Sequence, residues 1–144
     1  HSRGSGFTLE ENHPNVIASK KRPLHTIIPA MISHRGKTQM SFGVMGGAYQ
    51  AFGHMQFLSR LLDYRLDIQQ AVDMPRFFPV DNGWEVQMEE SLRAVVQKDL
   101  GVIGHKIVPP PHPIGGAQAI WIDWEKGMLI GGSDPRKDGC VLGY

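Results

Sequence analysis

The stretch GVMGGAYQAFGHMQFLSRLLDY, residues 43–64, decides the architecture. Its first residues close an alternating run, Thr38 to Val44, that reads as a β-strand. Met45-Gly46-Gly47 follows, a backbone able to approach a ligand closely. Ala48 to Tyr64 then reads as a helix, with Ala51, Met55, Leu58 and Leu62 on one stripe and Phe52 and Leu61 beside it. Gly53 inside that helix costs about 1 kcal/mol relative to Ala, so its presence predicts close packing against a neighbour. A strand, a glycine pair and a helix, in that order, place backbone N–H groups at a helix N-terminus. Such a turn binds anions or stabilises an oxyanion, and it also occurs as a plain tight turn. The Lys and Ser/Thr of a phosphate-binding loop are missing here.

Upstream, LHTIIPAMIS (24–33) is apolar and β-branched and reads as a strand. His34-Arg35-Gly36-Lys37 reads as the hairpin turn that joins it to the Thr38–Val44 strand. Residues 1–23 are polar, with few periodic apolar positions, and read as an extended arm ahead of one domain over 24–144. Downstream, Asp67 and Gln70 have the spacing of a capping box for a short helix through Ala71 and Val72 that stops before Pro75. Trp84 to Met88 reads as a strand. Ser91 to Leu100 reads as a helix, with Leu92, Val95, Val96 and Leu100 on one side and Gly101 as its stop. A short strand over His105 to Val108 precedes a stiff polyproline-type connector, Pro109 to Pro113. Ala117 to Asp123 and Met128 to Gly131 form a hairpin around Trp124-Glu125-Lys126-Gly127. Hairpins beside helices indicate an α+β or layered fold rather than a doubly wound parallel sheet.

Composition narrows the function. The 144 residues carry 15 Lys plus Arg against 14 Asp plus Glu, a net charge of +1. That balance is no footprint for nucleic acid or an anionic membrane. No apolar run approaches the ~20 residues of a membrane span. The single cysteine, Cys140, excludes an internal disulfide and a multi-cysteine zinc site. The seven histidines, at 1, 13, 25, 34, 54, 105 and 112, show no metal-ligand spacing, so no metal or other cofactor is expected. His54 lies within the long helix, packed or partly exposed, and Ser133-Asp134-Pro135-Arg136 reads as an Asx-type turn with an Arg salt bridge. The chain opens His-Ser-Arg-Gly-Ser-Gly, with neither Met nor a leader-like apolar stretch, which suggests that it starts within a larger protein or after a tag remnant.

Five collinear pieces together resemble the small subunit of the γ-glutamyltranspeptidase family, within the N-terminal-nucleophile hydrolases. They are KRPLHTIIPAM (21–31), the Gly-Gly within 43–64, AVDMPRF (71–77), GGAQAI (115–120) and GGSDPRKDGCVLGY (131–144). The resemblance implies an α+β chain that forms part of a four-layer αββα sandwich. It implies a precursor that cuts itself and a new N-terminal Thr that attacks a γ-glutamyl or related amide. The resulting acyl-enzyme is released by water or passed to an amine. The resemblance puts the oxyanion hole at Gly46 and Gly47 and the substrate-carboxylate pair at His25 and Thr26, where the family has two serines. Arg3 falls where the family has a Gln or Glu, and Gly6 where it has an Asp, near the substrate's α-amino group. A cation in that place disfavours a free α-amino group and favours an extra carboxylate or a neutral acyl chain. Cephalosporin-acylase-like and oxamate-amidohydrolase-like branches of the family are similar in this respect.

None of the threonines, Thr8, Thr26 and Thr38, matches the family's nucleophile. The chain therefore resembles the C-terminal part of a small subunit, inactive alone. Its implied partners are a large subunit, the N-terminal part of the small subunit and a small amide substrate. A cut sandwich exposes apolar faces, so self-association is expected. Bacterial relatives are often exported, which tilts the compartment towards periplasmic or secreted. The competing reading is a non-catalytic interaction module that kept the fold without the nucleophile.

Overall fold

A computed structural model describes residues 2–80 and 83–144. His1, counted above among the histidines, lies outside the described residues. Two sheets organise the chain. The larger one is antiparallel throughout, in the order β1 (Pro29–His34), β2 (Lys37–Met45), β6 (Gly116–Asp123), β7 (Met128–Ser133). The smaller joins β3 (Phe77–Val80) antiparallel to β4 (Glu85–Met88) and β4 parallel to β5 (Lys106–Val108). Helices α1 (Gln50–Leu62) and α2 (Ile68–Asp73) cover one face of the larger sheet, and α3 (Glu90–Val102) packs beside β5. The core lies between the larger sheet and α1/α2: Met40, Phe42, Val44, Phe57, Val72, Ala117 and Ala119 are all buried there.

The opposite face of that sheet is only partly covered, by C-terminal residues such as Lys137 over Gly116 and Val141 over Gly131. Cross-strand pairing aligns Met31 with Ser41, Ser41 with Ile120, and Ile122 with Leu129. Met31 and Leu129 are each 69% exposed on this face, with Ile120 and Met45 about half exposed. One helix layer on one sheet with an apolar outer face is half of a layered sandwich.

Local chemistry explains the elements. Arg35 and Gly36 both take positive φ, 51° and 76°, which suits a two-residue hairpin between β1 and β2. The capping box at α2 is complete: Gln70 N–H donates to Asp67 Oδ1 at 2.8 Å, and Asp67 N–H donates to Gln70 Oε1 at 3.2 Å. Gly53 packs as its cost predicts. A Cβ there would stand 2.5 Å from Val44 Cγ1 and 2.8 Å from Tyr49 Cε1.

Three expectations need correction. Residues 24–28 are not in the first strand, which begins at Pro29. Their backbone bonds to a side chain instead: Ile28 N–H donates to Gln50 Oε1, and the Thr26 carbonyl accepts from Gln50 Nε2. The inner face of α1 is not the Ala51–Met55–Leu58–Leu62 stripe. Gln50, Gly53, Gln56 and Phe57 are buried, whereas Ala51, Met55 and Leu62 are exposed; Phe52, Leu58 and Leu61 pack partly against the core. Apolar periodicity misses this because two glutamines are buried by their hydrogen bonds. Gln56 pairs with both backbone groups of Phe77, donating to its carbonyl at 2.7 Å and accepting from its N–H at 3.3 Å. Finally, Gly101 does not stop α3. The reversal falls at Gly104, φ 102°, where Gly104 N–H donates to Gly101 O and His105 N–H to Leu100 O in a Schellman arrangement. Leu92, Val96 and Leu100 line an apolar cavity of about 430 Å³ over the smaller sheet, whereas Val95 is 75% exposed.

A buried ionic network ties the two sheets together. Arg76 (3% exposed) and Asp134 (0%) are paired directly. Arg76 also donates to the carbonyls of Ile114 and Val72. Asp134 accepts from the backbone N–H groups of Ala117 at 2.7 Å and Arg136 at 3.0 Å, the latter being the expected Asx turn. Arg136 pairs with Asp134 at 3.2 Å, as expected, and with both oxygens of Glu89 at 2.7 Å. Burial pushes both carboxyls up. The hydrogen bonds and guanidinium charges outweigh it: the Arg136 and Ala117 amides and Arg76 lower Asp134, and Arg136 and the Arg76 amide lower Glu89.

Two predictions follow from this packing. Gly53→Ala forces a methyl into Val44 and Tyr49, an overpacking of about 1–3 kcal/mol that exceeds the roughly 1 kcal/mol gained in helix propensity. Calorimetry should therefore show a lower melting temperature. For the network, both carboxyls have folded-state values below their unfolded ones, so their stabilisation is present above about pH 4 and is lost as pH falls through the folded values. Asp134→Ala removes the counter-charge of a buried Arg76 and should destabilise the fold by about 3–5 kcal/mol in urea titrations at neutral pH. It should also flatten the acid limb of the stability profile.

Candidate active site

The end of β2 turns sharply into a 3-10 turn, Gly47–Tyr49, that runs on into α1. Gly46 adopts φ 139°, ψ 25° and Gly47 φ 59°, both in the region that favours glycine. At Gly46 space is also short: a Cβ would lie 3.1 Å from Gly115 Cα and 3.1 Å from Tyr49 Cδ1. Tyr49 (2% exposed) is the floor of the turn, its ring edge-on to Phe78 at 5.6 Å. Gly115, φ 60°, closes the other side; a Cβ there would meet Tyr49 Cδ1 at 2.4 Å and Met45 O at 2.7 Å. Burial raises the Tyr49 phenol above its ordinary value, so the ring stays neutral.

The turn is braced from the helix side as well. His54 Nε2 accepts the Val44 N–H at 3.2 Å. Its ring lies 5.1 Å from Phe42, and burial lowers its pKa. The neutral imidazole with Nε2 unprotonated is therefore the form that holds the end of β2.

Around this turn opens a cavity of about 610 Å³ on the outer face of the larger sheet. Gly46, Gly47 and Thr26 all line it, so the structure brings three of the five expected site residues to one place. Ile27, Ile28 and Met45 supply apolar wall, and Gln118 of β6 and Ser5 of the N-terminal segment supply polar edges. The other two stand apart from the wall: His25 is exposed, and Arg3 is half-buried in a 3-10 turn, Ser2–Gly6.

Gln50 also lines the cavity and escaped the sequence reading. Its Nε2 donates to Thr26 O at 2.8 Å and to Gly47 O at 3.1 Å, while its Oε1 accepts from Ile28 N–H at 3.2 Å. The only signal in the sequence is an amide side chain three residues after Gly47 in a helix otherwise read by its apolar stripe.

Chemically, the site offers the leading N–H groups of the turn, which no residue within the helix can accept, beside a hydroxyl at Thr26 and an apolar wall. Such donors suit a developing negative oxygen. Among the described residues, no three His, Cys, Asp or Glu are grouped to hold a metal.

The family model for gamma-glutamyltranspeptidase matches residues 1–144. A "Glutathione hydrolase-like YwrD proenzyme" of Bacillus subtilis is 38% identical over 99% of this chain and 28% of its own length. An "Acylase ACY 1 proenzyme" of Pseudomonas sp. (strain SE83) is 31% identical over 88% of this chain and 22% of its own. The crystal structure of cephalosporin acylase from Bacillus halodurans superposes with a TM-score of 0.87 and 39% identity, over 99% of this chain and 27% of that one. The chain thus spans about a quarter of the curated relatives it matches. The α+β fold expected from the sequence, part of an N-terminal-nucleophile sandwich, is the fold these matches share. With the family model matching the whole length of the chain, this protein belongs to the gamma-glutamyltranspeptidase family.

Proposed function

We propose that this chain supplies the oxyanion-stabilising turn and part of the acyl pocket of an amidohydrolase or acyltransferase that cleaves γ-glutamyl or related amide bonds. The nucleophile in this reading is an N-terminal Thr, created by self-cleavage of a precursor and contributed by sequence outside these 144 residues, together with a large subunit. The observation that carries the reading is the Gly46-Gly47 turn opening on a cavity that Thr26 also lines. The Thr attacks the amide carbonyl, and the oxygen that gains charge sits at the N–H groups of the turn. The amine leaves, and water or a second amine takes the acyl group from the Thr ester.

His25 and Thr26 take the place of the carboxylate-binding pair in this scheme, Thr26 with its hydroxyl, and Arg3 biases the surroundings against a free α-ammonium. The wall of Ile27, Ile28 and Met45 suits an apolar acyl chain, which favours acylase-type amides over glutathione. The acylase names among the relatives support this direction, and the proenzyme names support the self-cleavage.

Three outcomes are expected. The complete reading frame, expressed whole, should split into two chains and release aniline from γ-glutamyl or carboxyacyl anilides. In that protein Gly46→Ala keeps its N–H but neither suits φ 139° nor clears Gly115 and Tyr49, so it should displace the turn and lower kcat by up to about 10²–10³-fold, the loss typical of one oxyanion donor. An unsplit, inactive product would favour the interaction-module reading. Residues 1–144 alone should show no turnover, and sedimentation should show self-association through the face bearing Met31, Ile120 and Leu129. A monodisperse monomer would count against the missing layer.

A further inference from the structure

We infer that Gln50 is a positioning residue that sets the spacing between the acyl-recognition segment, 26–28, and the oxyanion turn. The inference rests on the function proposed above. The side chain is buried and makes three backbone hydrogen bonds, to Thr26, Ile28 and Gly47, across sequence separations of 24, 22 and 3 residues. Two carbonyl acceptors and one N–H donor permit a single orientation of the amide. Residues 26–28 precede β1 and have no ladder of their own there, so this amide takes the place of a strand partner. Thr26 and the turn at Gly47 both accept from the Nε2 of this one planar group, while Ile28 is held at its Oε1 end. Their separation fixes where along an acyl chain the scissile carbonyl falls. An acyl group can still bind when the link is cut, but its carbonyl then drifts from the N–H donors, and a displacement of about 1 Å can lower a rate 10²-fold.

The test uses the complete, self-processed protein with Gln50→Ala and the isosteric Gln50→Glu. For Gln50→Ala, kcat on a γ-glutamyl anilide should fall 10–100-fold while KM stays within threefold. Gln50→Glu keeps the acceptor for Ile28 N–H but loses both donors when ionised. It should match the Ala variant at neutral pH and recover in part as its carboxyl is protonated in acid and regains one of the two donors, giving a pH profile that neither the parent nor Gln50→Ala shows. Hydrogen exchange adds a readout independent of turnover: the Ile28 amide should lose at least tenfold protection in Gln50→Ala, while Phe57 in the middle of α1 stays as it was. Unchanged kcat in a folded variant, a raised KM with kcat intact, or unchanged exchange at Ile28 would overturn the inference. A parent protein that cleaves no amide would instead defeat the proposed function, and the exchange result would then decide the link by itself. If Gln50→Ala does not fold, Gln50→Glu carries the kinetic and exchange comparison alone.

Discussion

The ion pair between Arg76 and Asp134 is the constraint on which the rest of the chain depends. It joins residues 58 apart in sequence and excludes water from both. Asp134 also holds the first amide pairs of β6 through Ala117, and Arg76 holds the Ile114 carbonyl just before it. The start of β6 thus cannot shift without uncovering a charge. Because β6 pairs with β2, and β2 ends in the glycine turn, the register of the site is set by a charge pair some distance from it. Arg136 and Glu89 extend the same hold to the C-terminal end of α2 and the start of α3.

Much of this was legible because it is local. The Arg35-Gly36 hairpin, the Asp67/Gln70 capping box, the glycine pair after a strand and the tight packing at Gly53 each announce themselves within a few residues. What escaped is non-local and polar. Gln50 and Gln56 are buried, and no hydrophobic pattern can credit them, because their burial depends on backbone groups more than twenty residues away. Ser133–Arg136 was readable as an Asx turn with an Arg, but the partner that buries Asp134 lies at position 76. Residues 24–28 look like strand by composition, yet strand needs a neighbour, and a helix side chain took that place.

The site itself divides along the same line. Its glycines were readable from order alone, and its other side includes Thr26, in a segment with no regular structure. Arg3 and His25, assigned by resemblance, are not among the residues that line the cavity, whereas uncharged groups from four parts of the chain form it. Behind the turn, the neutral ring of His54 accepts the Val44 amide and so ties the end of β2 to a group that titrates.

The ring of Tyr49 has a consequence for how the chain can change over generations. Gly46, Gly53 and Gly115 each leave the space that this one side chain fills, and a methyl at any of them would press on it. A smaller residue at 49 would relieve only part of that pressure, because Val44 Cγ1 also meets a methyl at 53 and the Met45 carbonyl one at 115, and it would remove the floor beneath the turn. The four positions therefore form one packing unit, in which a change at one is felt at the others.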